Sequence, residues 1–130
     1  MKELSIIIIV IIIVCIASFF MQKYLVQTSD EILSNLERLK EQIREAQESG
    51  NNESAKSLSE DVMNKWEEIH KQWSMVVLHE DLDIIELSLI EVNACVEIGS
   101  FEDGLQEIDR SIFLVGHIKE KEAFKLKNIF

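Results

Sequence analysis

The sequence predicts an all-α protein: one transmembrane helix at the N-terminus, then a bundle of about four amphipathic helices. Three observations predict it. Leu4–Met21 reads LSIIIIVIIIVCIASFFM, eighteen residues with no charge and only Ser5 and Ser18 polar. The chain has no Pro and only four Gly, too few turn formers for a β-sandwich or barrel. From Ile32 onward, apolar residues recur at spacings of three and four, the period of a helix with one buried face.

The first element is the apolar run. At about 1.5 Å per residue it is about 27 Å long, close to the hydrocarbon thickness of a bilayer. A helix there satisfies its own backbone in lipid, whereas in water so Ile-rich a run would aggregate. Lys2 gives it a weak positive flank, and a small-residue cleavage site after Ala17 is conceivable. The run continues through Phe19, Phe20 and Met21, which suits an uncleaved anchor over residues 1–23. Val14 before Cys15 departs from the lipoprotein pattern, and no Gly before position 50 bounds a pilin-type cleavage site. Charge asymmetry around the run is slight. A short tail ahead of a first apolar helix places residues 24–130 outside the cell membrane.

The second element spans 24–50. Thr28 and Glu31 have capping-box spacing, so either a new helix begins there or the anchor helix runs on. Ile32, Leu36, Leu39, Ile43 and Ala46 form a narrow, coiled-coil-like seam that ends at SGNN, Ser49–Asn52. The bundle domain is expected over 51–130. Its first helix starts near Asn52 or Glu53 along Ala55, Leu58, Val62, Trp66, Ile69, Trp73 and Val76. It ends near Leu78–Glu80 or continues through EDLD. The next covers Asp81–Ile98 on Leu82, Ile85, Leu89, Val92 and Val96; Ile84, Leu87 and Ile98 widen that face, predicting the most buried helix. Gly99 stops it, and Ser100 with Asp103 caps a last helix over Phe101–Lys127. Its line is Leu105, Ile108, Ile112, Val115 and Ile118 or Lys119, with Gly116 either a close-approach point or simply tolerated. Short connections make consecutive helices antiparallel.

Charge narrows the function. The chain carries 24 acidic and 13 basic residues; from Tyr24 onward the balance is 23 to 11, a net of −12. Such a surface repels nucleic acid, so no nucleic-acid partner is expected. Cys15 lies in the anchor and Cys95 beyond it, so no disulfide framework forms within one chain, and Cys95 reads as a small core residue.

No catalytic motif follows the anchor, so no enzymatic activity and no cofactor are expected. Glu67-x-x-His70 matches half of a di-iron bundle motif, whose second half is missing. His79-Glu80-Asp81-Leu82-Asp83 resembles the zinc-protease pattern with Asp83 in place of its second His. A metal-binding bundle on Glu67, His70, His79 and Asp83 is therefore one alternative function. A structural coiled-coil spacer on Ile32–Ala46 is another. Trp66 and Trp73, with His70 between them, form an aromatic stripe that is either core or an interaction surface. At the C-terminus Lys119, Lys121, Lys125 and Lys127 accompany Phe124, Leu126, Ile129 and Phe130. Lysines near a helix end complement its dipole. The apolar groups are expected to pack on the first two helices, with the lysines facing an acidic partner or headgroups.

WEEIHKQWSMVVLHEDLDIIELSL (66–89) and SFEDGLQEIDRSIFLVGHIKEKEAFKLKNIF (100–130) resemble a family of Gram-positive spore-forming bacteria, domain of unknown function 4363. The resemblance covers nearly the whole chain, most specifically in the Trp and His–acid stretch and the closing KNIF. It implies a single-pass, all-helical protein with no catalytic residues to carry over. It also points to a membrane partner, a YetF-like protein. The combined expectation is a non-enzymatic, membrane-anchored interaction domain, an accessory or regulatory partner of an envelope membrane protein, with homo-oligomerisation open to it.

Overall fold

No Gly or Pro interrupts residues 1–49, and the chain runs through them as one helix. The computed structural model describes residues 1–129, apart from the side chains of Leu126 and Ile129. Helix α1 spans Lys2–Ser49, α2 Glu53–Trp73, α3 His79–Ile98 and α4 Phe101–Ile129. Thr28 therefore opens no new helix. Its hydroxyl bonds back to the carbonyls of Tyr24 at 2.9 Å and Leu25 at 3.1 Å, as a mid-helix Thr does.

The two halves of α1 have different surroundings. Residues 2–18 are exposed on every face, and this part of the helix is long and apolar enough to cross a membrane. From Leu25 to Ala46 the heptad-like seam is buried. That second half packs against α2 and α4, and α3 closes the ring by packing against the same two helices. The result is an up-and-down bundle with α1 diagonal to α3 and α2 diagonal to α4. The seam Ile32–Ala46 is thus a wall of this bundle's core.

Each corner has a local cause. Gly50 takes φ 77° and its N–H reaches the Ala46 carbonyl at 2.8 Å; Gly99 takes φ 78°, and Ser100 N–H reaches Cys95 O at 2.9 Å. Only glycine enters that left-handed region without strain. Asn52 then donates from Nδ2 to the Val96 carbonyl at 2.8 Å, tying the first corner to the end of α3. Ser100 Oγ bonds Asp103 Oδ2 at 2.8 Å, at the capping-box spacing.

The corner between α2 and α3 departs from expectation. Helix α2 ends at Trp73, not near Leu78–Glu80, and α3 begins at His79. Val76 and Val77 extend the apolar spacing of α2 past its end, so periodicity alone conceals the stop. The N–H groups of Ser74, Met75, Val76 and Val77 fold back on His70, Gln72 and Trp73. Leu78 is extended, at φ −60° and ψ 137°, and starts α3.

Two helix faces also differ from the expected ones. On α3 the core-facing arc is Leu82, Ile85, Ser88, Leu89, Val92 and Val96. Ile84, Leu87 and Ile98 do not widen the buried face; they point to solvent. On α4 the buried line is Gly104, Ile108, Ser111, Val115, Ile118 and Glu122, with Leu105 and Ile112 at its margin. A Cβ on Gly104 would stand 3.3 Å from Cys95 Cβ, whereas one on Gly116 would meet nothing within 4 Å. Gly104 is thus the point of close approach, and Gly116 is merely tolerated.

Candidate functional site

The aromatic stripe is interior. Trp66 and Trp73 are both 0% exposed, and their rings meet edge to face with centroids 5.7 Å apart. Trp73 Nε1 donates to Thr28 Oγ1 at 2.8 Å, so the indole pins the end of α2 to α1. Trp66 Nε1 is buried with no acceptor among the described residues. His70 stands half-buried with its ring edge on Trp66, centroids 5.7 Å apart.

Glu67, His79 and Asp83 are all exposed, the first on α2 and the other two on α3. Among the described residues no three His, Cys, Asp or Glu side chains gather as a metal site would require. The structure therefore does not bring Glu67, His70, His79 and Asp83 together.

The polar features of the interior bind helix to helix. Ser88 Oγ and Ser111 Oγ are 2.7 Å apart between α3 and α4, and Ser59 Oγ donates to Asn93 Oδ1 at 2.9 Å between α2 and α3. At the surface, Lys65 on α2 bridges to exposed Glu31 on α1 at 3.2 Å, and that hydrogen bond and charge raise the lysine's pKa. Cys95 is half-buried, and desolvation raises its thiol pKa, so it carries little thiolate.

Among the described residues, Glu107 on α4 is a carboxyl that its surroundings hold away from the ordinary range. Burial raises its pKa above the ordinary 4.5, and the neighbouring Glu91 adds to the shift; Arg110 and Ser88 oppose it. The folded bundle thus holds this proton to higher pH than the unfolded chain does. Its contribution favours folding below the ordinary carboxylate range and is lost as pH rises through the raised value. Glu107→Gln is therefore expected to raise the melting temperature at pH 7 and to do so less at pH about 4. A melt that falls at pH 7 would show that the ionised form is needed.

The feature that the sequence pattern assigned to the core, and that the structure exposes, is the outer face of α3. Ile84, Leu87, Ile90 and Ile98 are 41%, 60%, 47% and 79% exposed. Ile84, Leu87 and Ile98 align with Ala94 at spacings of three, seven and four, a second apolar stripe in which exposed Glu91 fills the place between Leu87 and Ala94. Six acidic residues and no Lys or Arg lie on the same helix, His79–Ile98. A second stripe on one helix is a signal that sequence reading can find, once the first has been assigned to the core.

The membrane-facing expectation for the last residues is answered in part. Phe124 does not pack on α1 and α2; it is 68% exposed, because α4 sits between α1 and α3 and residue 124 falls on the side away from both. Phe130 and the side chains of Leu126 and Ile129 lie outside the described residues. Glu122, buried beneath this end, holds Lys125 at 3.1 Å. The cleft beside it, between α4 and the turn after α2, has about 170 Å³, small beside the 300 Å³ and more typical of ligand pockets.

A family model described as "Domain of unknown function (DUF4363)" matches residues 19–129. No curated protein and no solved structure matches the chain.

Proposed function

We propose that this chain, which belongs to the family described as domain of unknown function 4363, is a single-pass, non-enzymatic interaction module. Residues 1–23 anchor it in the cell membrane, and the bundle holds a second membrane protein beside it on the extracytoplasmic side. One observation carries the reading: the outer stripe of α3, apolar and exposed on a helix that bears acids and no bases. Exposed apolar surface of this kind, framed by charge, marks interaction sites. An isologous pairing through α3 would set acid against acid, so the same face of a second copy is disfavoured. The occupant that fits is an amphipathic segment with apolar anchors and a Lys/Arg rim, supplied by an envelope protein such as the YetF-like class. The spacer reading loses support because Ile32–Ala46 is consumed in the bundle core.

The test is crosslinking in native membranes from a photoreactive residue placed at Leu87. A single membrane protein is expected, attached through a basic segment, with a yield that falls as salt rises. Ile84→Glu with Leu87→Glu should abolish the adduct and leave the melting temperature unchanged, since both side chains are exposed. Equal yields from Leu87 and from exposed Arg44 on α1 would sink the assignment.

A further inference from the structure

Helix register fixes which end of the bundle faces the anchor. Lys40 pairs with Asp109 at 2.6 Å, and Asp30 pairs with Lys119. Asp30 and Lys40 are ten residues apart, as are Asp109 and Lys119. Each step down α1 is therefore one step up α4, and the same register sets Phe124 opposite Leu25 and Lys127 opposite Gln22. Leu25 is four residues past Met21, the end of the apolar run, or about 6 Å along the axis. The turn after α2 comes down at the same end. Trp73 bonds Thr28, and Gln72 lines one depression with Phe20, Met21 and Tyr24.

At that level the bundle exposes what a water-facing end would hide. Met75 is 71% exposed and Leu78 65%, both in the α2–α3 turn, and Phe124 projects from α4. Lys23, Lys71 and Lys127 are exposed around them, on a domain that is otherwise acidic. The headgroup layer is about 5–8 Å deep on each side of the hydrocarbon, which matches the height of Phe124 above Met21.

We infer that the bundle sits directly on the bilayer, with Met75, Leu78 and Phe124 in the headgroup layer and Lys23, Lys71 and Lys127 on lipid phosphates. This seat rests on the reading of Leu4–Met21 as the membrane span. Its physics is that of an interfacial amphipathic surface: apolar side chains enter the acyl boundary while cations meet anionic lipid. A seated bundle has one fixed tilt, so the α3 face is presented to neighbours in the membrane plane. A bundle on a free swivel would present it in every direction.

The test uses the full-length chain, with Cys15→Ser and Cys95→Ala, in vesicles of phosphatidylcholine and phosphatidylglycerol. Spin labels at positions 9, 75, 78, 98 and 124 are compared for collision with oxygen and with a water-soluble nickel chelate. Position 9 should read as hydrocarbon, positions 75, 78 and 124 as interfacial, and position 98, at the far end, as water. Lys71→Glu with Lys127→Glu should weaken the nickel protection at 78, by roughly fivefold in seated population per lysine lost. If 75, 78 and 124 read as water while 9 reads as hydrocarbon, the seat is wrong and the anchor stands. If 9 also reads as water, the anchor itself is wrong and the seat falls with it. Protection at 78 unchanged in the double Glu variant would overturn the lysine contacts.

Discussion

Trp73→Ala is expected to lower the melting temperature of the bundle by roughly 12–40 °C, the shift that about 3–5 kcal/mol produces in a domain near this size. The side chain is fully buried against Trp66 and α1, so its removal leaves a cavity. It also removes the hydrogen bond to Thr28, the one that fastens the end of α2 to α1. Domains of this size hold only about 5–15 kcal/mol in total, so the change consumes a large share of it. The phenylalanine variants separate packing from bonding. Trp66 has no acceptor among the described residues, so Trp66→Phe loses volume alone. Trp73→Phe loses volume and a bond, and should be the worse of the two by about 0.5–1.5 kcal/mol. Circular dichroism melts of the detergent-solubilised chain read both. A Trp73→Ala chain that melted unchanged but lost its crosslinked partner would make the stripe a recognition surface.

The core seams were legible because each is a simple period. Ile32 to Ala46, Ala55 to Trp73 and Leu82 to Val96 are buried where the threes and fours put them, except that Leu58 is half-buried and Ser59 beside it takes the core position. Gly50 and Gly99 announced two corners because a left-handed residue there needs glycine. The third corner was not legible. Val76 and Val77 are as apolar as a continuing helix would need, and Val77 is indeed buried, in the turn. The turn that follows α2 is closed by backbone bonds back to His70, Gln72 and Trp73 and by the buried Val77, neither of which apolar spacing reveals.

The α3 face was misread for a related reason. Counting apolar residues on a helix gives the width of its apolar surface, not the number of neighbours available to cover it. Helix α3 has two neighbours, α2 and α4, and both are used up by the arc from Leu82 to Val96. Ile84, Leu87 and Ile98 are surplus to that arc. On α4 Ile108, Val115 and Ile118 are buried where their spacing puts them, but Leu105 and Ile112 give way by one step for the opposite reason: Gly104, Ser111 and Glu122 are core positions that hydrophobicity does not flag. Ser111 is held by Ser88 and Glu122 by Lys125, so polarity is tolerated there.

Ile9→Lys with Ile12→Lys is expected to convert the chain from one that stays in the pellet after alkaline carbonate washing to one that is largely released. Thirteen of the residues in Leu4–Met21 are Ile, Val, Leu or Phe. At about 0.3–0.6 kcal/mol each, they favour insertion by about 4–8 kcal/mol. Two lysines near the middle of the run cost about 5–7 kcal/mol and cancel that gain. Residues 2–18 are exposed on every face, so the substitutions remove no packing from the bundle. The released protein should therefore melt where the parent bundle does, which separates loss of the anchor from loss of the fold. Wild-type chain recovered in the wash, or a soluble form beginning near Ser18, would mean that Leu4–Met21 does not hold the protein in the membrane. The bundle, and with it the α3 face, would then act in solution.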